Sequence, residues 1–392
     1  MSHYRYLIVG GGMTGDAAVR GIRELDADGT IGMIGDETDM PYARPPLTKG
    51  MWKGRPFDRI WRGTDKLNVE FHLGRHATQL DPSAKLVRDD KGDEYGYDKL
   101  LLATGGTPNQ LPFGQEDIIY YRTLQDYLHL RKLTEQHQNF VVIGGGFIGS
   151  EIAAALAMQG KQVSMIFLED SIGQPVYPAE ISKFLDGYFT QKGVRLLPAD
   201  GITALEKKGD KYTVHTKSGQ AIEADAVVAG IGIRPNVDLA RSGQLKVENG
   251  IVVDDHLLTS APEVYAAGDV AMFPHYVLGR SMRVEHEDNA LMMGKQAGRN
   301  MAGANEAYTH APYFYSDLFD LGYEAIGTLS SKLEMYADWQ EPLKKGVIYY
   351  LDNGRVRGVL LWNVWEKLKD ATAVLADPGP FKPEQLKGRI TG

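Results

Sequence analysis

Leu7-Ile8-Val9-Gly10-Gly11-Gly12-Met13-Thr14-Gly15, followed by the helical spacing of Ala17, Ala18, Ile22 and Leu25, decides the fold. An apolar, β-branched run gives way to a glycine-rich turn, and the turn to a helix. Phe140-Val141-Val142-Ile143 repeats the arrangement with Gly144-Gly145-Gly146-Phe147-Ile148-Gly149, after which Ile152, Ala155 and Leu156 mark a helix that stops at Gln159-Gly160. A second strand is expected after each helix, over 30–34 and 162–167, so each unit reads as the start of a βαβ fold. In such a turn the first glycine (Gly10, Gly144) makes the tight bend. The second (Gly12, Gly146) lets backbone N–H groups approach a pyrophosphate, and the third (Gly15, Gly149) lets the helix pack on the strand with its N-terminus facing the anion. An acid about 20 residues further on is expected to bond a ribose hydroxyl. Asp36 stands 21 residues after Gly15, and Glu169 stands 20 after Gly149. A glycine turn in an ordinary α/β domain explains either string alone; two strings, each with its acid, point to two dinucleotide sites.

Glu169 falls two residues past Phe167, where the strand is expected to end, and is followed by Asp170 and Ser171 without a cation. A carboxylate there repels a 2′-phosphate, which favours NADH over NADPH. A solvated loop acid is the alternative.

Composition narrows the chemistry further. The chain has 392 residues, 43 Lys+Arg against 51 Asp+Glu for a net charge of -8, and no cysteine. The length suits two to four domains, and the charge argues against nucleic-acid binding. Without thiols there is no disulfide, no thiolate nucleophile and no thiolate-held metal or iron–sulfur centre, so redox work needs a bound cofactor. No metal site is expected. No apolar run reaches the length of a membrane span and Met1 to Tyr6 lacks a signal pattern, so the expected compartment is the cytoplasm. In the last third, Val347–Leu351, Asp352-Asn353-Gly354 and Val356–Trp362 read as a hairpin with an Asn-Gly turn. A first nucleotide domain is expected over 1–112 and 237–308, a second over 113–236, and a C-terminal α+β domain over 309–392.

Further segments carry a resemblance. Pro41-Tyr42-Ala43-Arg44-Pro45-Pro46-Leu47-Thr48-Lys49, Ala103-Thr104-Gly105-Gly106, Gly232-Ile233-Arg234-Pro235-Asn236 and Ala266-Ala267-Gly268-Asp269 resemble signatures of the two-dinucleotide-domain flavoprotein reductases. The pattern is most similar to ferredoxin and rubredoxin reductases and to apoptosis-inducing factor. Met282-Arg283-Val284-Glu285-His286, Gly322 to Gly327 and Leu361-Trp362-Asn363 lean toward the latter, as does the acid set beyond a Phe in Phe167-Leu168-Glu169. The resemblance implies an α/β fold with two Rossmann-like domains of the glutathione-reductase type plus the C-terminal α+β domain. It implies FAD at the first fingerprint and NADH at the second.

It also implies roles. Arg44 and Asp269, after Gly268, would hold FAD, with Ala103, Thr104, Gly105 and Gly232 in the cofactor-facing loops. Lys49 and Glu151 would pair beside flavin N5, and Phe147, next to Ile148, would gate the nicotinamide. A helix reading from Glu285 to Met301 would aim its N-terminus at the N1 edge, with Glu285 and His286 there. Tyr315 departs from the pattern, because both relatives usually carry Trp at that position. Each residue has a plainer alternative: Arg44 and Lys49 as solvated cations, Asp269 as an N-cap, Glu151 as a first-turn helix acid, His286 as a structural hydrogen-bonder, and Tyr315 as core.

The resemblance makes a one-electron protein acceptor, a ferredoxin or rubredoxin, the expected partner. Between Arg44 and Lys66 stand seven basic and two acidic residues interleaved with Trp52, Phe57 and Trp61, a candidate docking surface for an acidic protein. An amphipathic helix with its aromatics packed inward is the alternative. The other functional reading is a redox-responsive binding protein like apoptosis-inducing factor, holding a long-lived charge-transfer complex of reduced flavin and NAD. Against it, only about a dozen residues separate Leu333 from Lys345, where that family carries a long regulatory insertion. A homodimer is carried as the candidate assembly.

Overall fold

The computed structural model describes residues 2–391. It divides into two compact units, each assembled from three separate stretches of chain: the residues through Arg44, Pro56–Thr107 and Arg234–Tyr313 form one, and Pro45–Arg55, Pro108–Ile233 and the residues from Phe314 onward form the other.

The first unit is built on a seven-stranded sheet. Glu70–Leu73, Ile31–Gly35, Ser2–Val9 and Glu94–Leu102 run parallel, and Leu86–Asp89 and Ala77–Asp81 continue it antiparallel. Every residue of Ile31–Gly35 is buried, as expected of a parallel strand covered on both faces. That strand sits one residue later than the sequence pattern suggests. Besides Ser2–Val9, Glu94–Leu102 pairs antiparallel with Leu86–Asp89 at its start and parallel with Val264–Ala266 at its end.

Helix Met13–Arg23 lies against helix Glu287–Met301 at backbone contact. A Cβ on Gly294 would stand 2.4 Å from Thr14 O, one on Gly298 2.0 Å from Ala18 O, and one on Gly21 2.1 Å from Lys295 O. Only hydrogen fits at these three points.

The second unit contains a parallel sheet in the order Val194–Leu197, Gln162–Ile166, Asn139–Ile143, Ala226–Ala229, Ile118–Tyr120. Helix Phe147–Met158 rises from the end of its central strand. The C-terminal residues form an antiparallel sheet in the order Tyr313–Leu318, Leu321–Gly327, Arg355–Trp362, Lys345–Asp352, Glu334–Glu341, with helix Leu368–Ala376 beside it. The hairpin read from the sequence is present, with Asn353 at φ 51° and Gly354 at φ 76°, both in the left-handed region that an Asn-Gly turn supplies. Among the described residues no helix is long and apolar enough to cross a membrane.

Candidate functional site

In the first unit, strand Ser2–Val9 ends at Gly10, whose φ of 130° suits glycine and whose Cβ would lie 2.1 Å from Ala103 O. A Cβ on Gly15 would lie 2.2 Å from Gly10 O, so the helix is pressed onto the turn. Gly12 differs: a Cβ there meets nothing within 4 Å. Gly12 is the N-cap of helix Met13–Arg23 and no side chain caps it, so the first-turn N–H groups face that open space. The turn can therefore hold an anion such as a pyrophosphate.

Around it, Ala103 N donates to Val9 O, and Thr104 and Gly105 are fixed by Asn236 through Thr104 Oγ1 to Asn236 O (2.7 Å), Asn236 Nδ2 to Thr104 O (2.9 Å) and Asn236 N to Gly105 O (3.0 Å). Asp36 directly follows its strand, is exposed, and bonds His76 Nδ1 at 3.0 Å. Arg44 donates to Glu37 Oε1 at 2.7 Å and to the Tyr42 hydroxyl, which itself donates to Glu37. Burial would lower the Arg44 pKa, but Tyr42, Glu37 and Asp269 outweigh it and hold the guanidinium above its ordinary value. Gly268, at φ 76°, starts the short helix Gly268–Val270 that carries Asp269.

The helix read as Glu285–Met301 begins at Glu287, with His286 in extended conformation as its N-cap. Glu285 therefore lies outside the helix, where it pairs with Arg283. Arg283 also donates to Asp269 O at 3.0 Å. Desolvation holds the half-buried His286 imidazole down to about 4, against the opposing pull of Asp269, so it is neutral at pH 7.

In the second unit the same geometry recurs. Gly144 (φ 109°) would place a Cβ 2.4 Å from Gly230 O, and Gly149 one 2.0 Å from Gly144 O, whereas Gly146 meets nothing within 4 Å. Gly146 is likewise an N-cap without a side-chain partner. Phe167 covers the turn, since a Cβ on Gly145 would touch its ring at 2.9 Å, and this explains why the acid comes late. The strand ends at Ile166, Phe167 turns inward to pack, Leu168 is exposed, and Glu169 follows half-exposed. Gly232 is exposed at φ 85°, its carbonyl bonded by Asn109 N.

Phe147 and Ile148 stand exposed at the start of helix Phe147–Met158, and Glu151 follows one turn on, buried. Lys49 Nζ donates to Glu151 Oε2 at 2.7 Å, Thr48 Oγ1 to the same oxygen at 2.6 Å, and Ser316 Oγ to Oε1 at 2.6 Å. The Lys49 ammonium also lies 5.3 Å from the Tyr315 ring centroid, a cation–π contact. Phe314 meets Phe147 at 5.4 Å between ring centroids.

Residues 4–294 match the pyridine nucleotide-disulphide oxidoreductase family, and 297–342 and 335–377 match the C-terminal region of mitochondrion-associated apoptosis-inducing factor. The chain belongs to the pyridine nucleotide-disulphide oxidoreductase family.

Within that family it is 33% identical to mitochondrial apoptosis-inducing factor 1 of Dictyostelium discoideum, over 95% of this chain and 78% of the relative. It is 34% identical to the ferredoxin reductase subunit of a Sphingobium 5,5'-dehydrodivanillate O-demethylase, over 91% and 89%. A solved chain in the covalent putidaredoxin reductase–putidaredoxin complex superposes with a TM-score of 0.91 at 29% identity, covering 98% of this chain and 96% of that one. As a pyridine nucleotide-disulphide oxidoreductase family member the chain is an enzyme that uses FAD and NAD(H), and the two open glycine positions with their uncapped helix ends fit two dinucleotides. The disulphide branch of the family's chemistry is closed to it, because it has no cysteine.

The sequence pattern did not reveal four contributors. Glu37 and Ser316 lie outside the quoted signatures, Thr48 and Arg283 lie within them without an assigned role, and each is identified by its bonds to Arg44, Glu151, Asp269 or Glu151. The adjacent acids Asp36-Glu37 were the one available hint. The basic segment 44–66 forms four separate 3-10 turns, not an amphipathic helix. Arg44, Lys49, Lys53 and Arg62 are engaged with Glu37, Glu151, Asp317 and Asp16. Trp52 is buried against Tyr127. Phe57, Arg59, Trp61 and Lys66 remain exposed.

Proposed function

We propose that this enzyme takes hydride from NADH onto FAD and passes the electrons to a ferredoxin or rubredoxin. The observation that carries the reading is a chain with two dinucleotide cradles and no thiol, so electrons leave the flavin for an outside acceptor and not for a disulfide. The ferredoxin reductase subunit at 34% identity and the putidaredoxin reductase fold support an iron–sulfur partner. FAD supplies the two-electron to one-electron conversion when bound.

The protein's own residues position and tune. Gly12 admits the FAD pyrophosphate to the helix N-terminus while Asp36 bonds its ribose. Arg44, steadied by Glu37 and Tyr42, and Asp269 hold the rest of FAD. Gly146 admits the NADH pyrophosphate, and Glu169 repels a 2′-phosphate. Phe147 flanks the nicotinamide. Lys49, fixed by Glu151, presents a cation beside the flavin N5 edge. His286 would act as a hydrogen-bonding group, and the positive end of helix Glu287–Met301 would favour negative charge on the flavin when it is bound. Exposed Phe57, Arg59, Trp61 and Lys66 form the docking surface for an acidic partner. We place the enzyme in the cytoplasm, where NADH is at hand.

The test is anaerobic stopped-flow reduction of the FAD-loaded chain by NADH, followed by mixing with a [2Fe–2S] ferredoxin. Fast reduction and faster reoxidation by ferredoxin than by air support the reading. The apoptosis-inducing-factor-like alternative draws on the C-terminal match, but Glu334–Glu341 and Lys345–Asp352 are joined by a three-residue turn. Slow reduction, a long-wavelength band persisting in air and no acceleration by any iron–sulfur protein would establish that alternative.

A further inference from the structure

The Glu151 carboxylate is held from both sides, and the second side leads into the C-terminal sheet. Thr48 and Lys49 engage Oε2, while Oε1 receives Ser316 Oγ at 2.6 Å. The Tyr323 hydroxyl interacts with Ser316 and accepts from the Tyr177 hydroxyl at 2.9 Å. Chemistry fixes the direction of this chain. A carboxylate only accepts, so the Ser316 proton points at Glu151, and the Tyr323 oxygen accepts from Tyr177. Ser316, Tyr323 and Tyr177 are all buried.

Packing locks the middle of the chain. The Tyr323 ring stacks on Trp362 (5.9 Å, 15°) and meets Phe314 and Tyr177 edge-on at 6.1 and 5.7 Å. Strand Tyr313–Leu318 thus delivers three neighbours to one place: Phe314 to Phe147, Tyr315 to Lys49, and Ser316 to Glu151.

We propose that Ser316 and Tyr323 are positioning residues for the Lys49–Glu151 pair, so that the C-terminal sheet sets how that pair addresses the flavin. This rests on the reading above that Lys49 and Glu151 lie beside flavin N5. The chain is an orienting device and not a proton wire. Burial pushes the hydroxyls of Tyr177 and Tyr323 well above their ordinary value, and the chain ends at a buried side chain instead of at solvent.

The experiment compares Ser316→Ala, Ser316→Thr, Tyr323→Phe and Glu151→Gln in the full chain. NADH reduction is followed by stopped flow, the potential of bound FAD is measured, and acetylation of Lys49 by an N-hydroxysuccinimide ester is timed in the FAD-free chain. Ser316→Ala is expected to slow the reduction step by about tenfold with the NADH Kd unchanged, since a small loss of alignment costs rate and not affinity. It is also expected to shift the flavin potential and to speed Lys49 acetylation several-fold. Tyr323→Phe, which keeps the ring and removes only the hydroxyl, should move all three readouts the same way by less, and Ser316→Thr should restore them. Wild-type values for both Ser316→Ala and Tyr323→Phe, alongside slow reduction in Glu151→Gln, overturn the proposal alone. Wild-type reduction in Glu151→Gln overturns it together with the placement of the Lys49–Glu151 pair at the flavin.

Discussion

Glu169, which we propose selects the nicotinamide cofactor, stands where the packing of another side chain leaves room for it. Phe167 turns inward over Gly145, and the first outward acid after it is two residues on. If that carboxylate bonds the adenine ribose, Glu169→Ala removes about one charge-assisted hydrogen bond, which lowers NADH affinity roughly tenfold and narrows the preference over NADPH. Steady-state kcat/KM for both nucleotides measures this, and unchanged selectivity would make Glu169 an ordinary loop acid. The same scale shows what a sequence can and cannot disclose. Gly10, Gly15, Gly144 and Gly149 were legible because the turn that needs them lies within six residues of chain. Thr48 and Ser316 were not, because their meaning comes from Glu151, 103 and 165 residues away. Glu37 was masked by Asp36, the acid that the spacing favours.

At the scale of the element, the two fingerprint turns separate glycines pressed against backbone from glycines that face open space. Gly15→Ala would push a methyl to 2.2 Å from Gly10 O and should cost about 1–3 kcal/mol of stability, read from a denaturant midpoint. Gly12→Ala meets nothing, so the FAD-free fold should unfold at the wild-type midpoint while FAD affinity falls by at least about tenfold. Equal FAD affinity in Gly12→Ala would show that the space beside residue 12 is not where the pyrophosphate approaches. Strands and helices of the nucleotide units were readable because their periodicity is local. The start of helix Glu287–Met301 was misread by two residues because Glu285 resembles a first-turn acid, whereas its bond to Arg283 keeps it in the preceding loop. The C-terminal hairpin was plain from Asn353-Gly354. Its tyrosine chain was not, because hydrogen-bond direction follows from three-dimensional neighbours.

At the scale of the molecule, desolvated histidines set an acid limit. His275 is buried and desolvation holds it down to about 4 from 6.5, and His286 behaves alike. A histidine whose folded pKa is depressed stabilises the fold fully above its unfolded pKa. Stability is then lost as pH falls from 6.5 toward 4, on the order of 3 kcal/mol for His275. The lowered carboxylates Asp16, Asp89 and Asp225 act below that window. Urea midpoints across pH 4 to 7 should therefore fall through this range, and His275→Gln should flatten the fall; an equally steep curve would reassign it to other groups. Docking of an acidic ferredoxin on Phe57, Arg59, Trp61 and Lys66 should weaken between 50 and 300 mM salt, with NADH reduction of the flavin unaffected. A salt-independent ferredoxin rate would remove charge from the account of docking.

The glycine contact of Gly21 with Lys295, and of Gly294 and Gly298 with Thr14 and Ala18, has a bearing on biosynthesis. Helix Met13–Arg23 is made early, yet the helix it must touch lies 264 residues later (287 minus 23). At ribosomal speed the interval is roughly 15–50 s. For that time the nascent first strand, turn and helix carry an uncovered face on the translating ribosome, so a pause or truncation before residue 287 should leave a species that trigger-type chaperones hold and proteases clear. Such a chain completes its first nucleotide cradle among the last things it does.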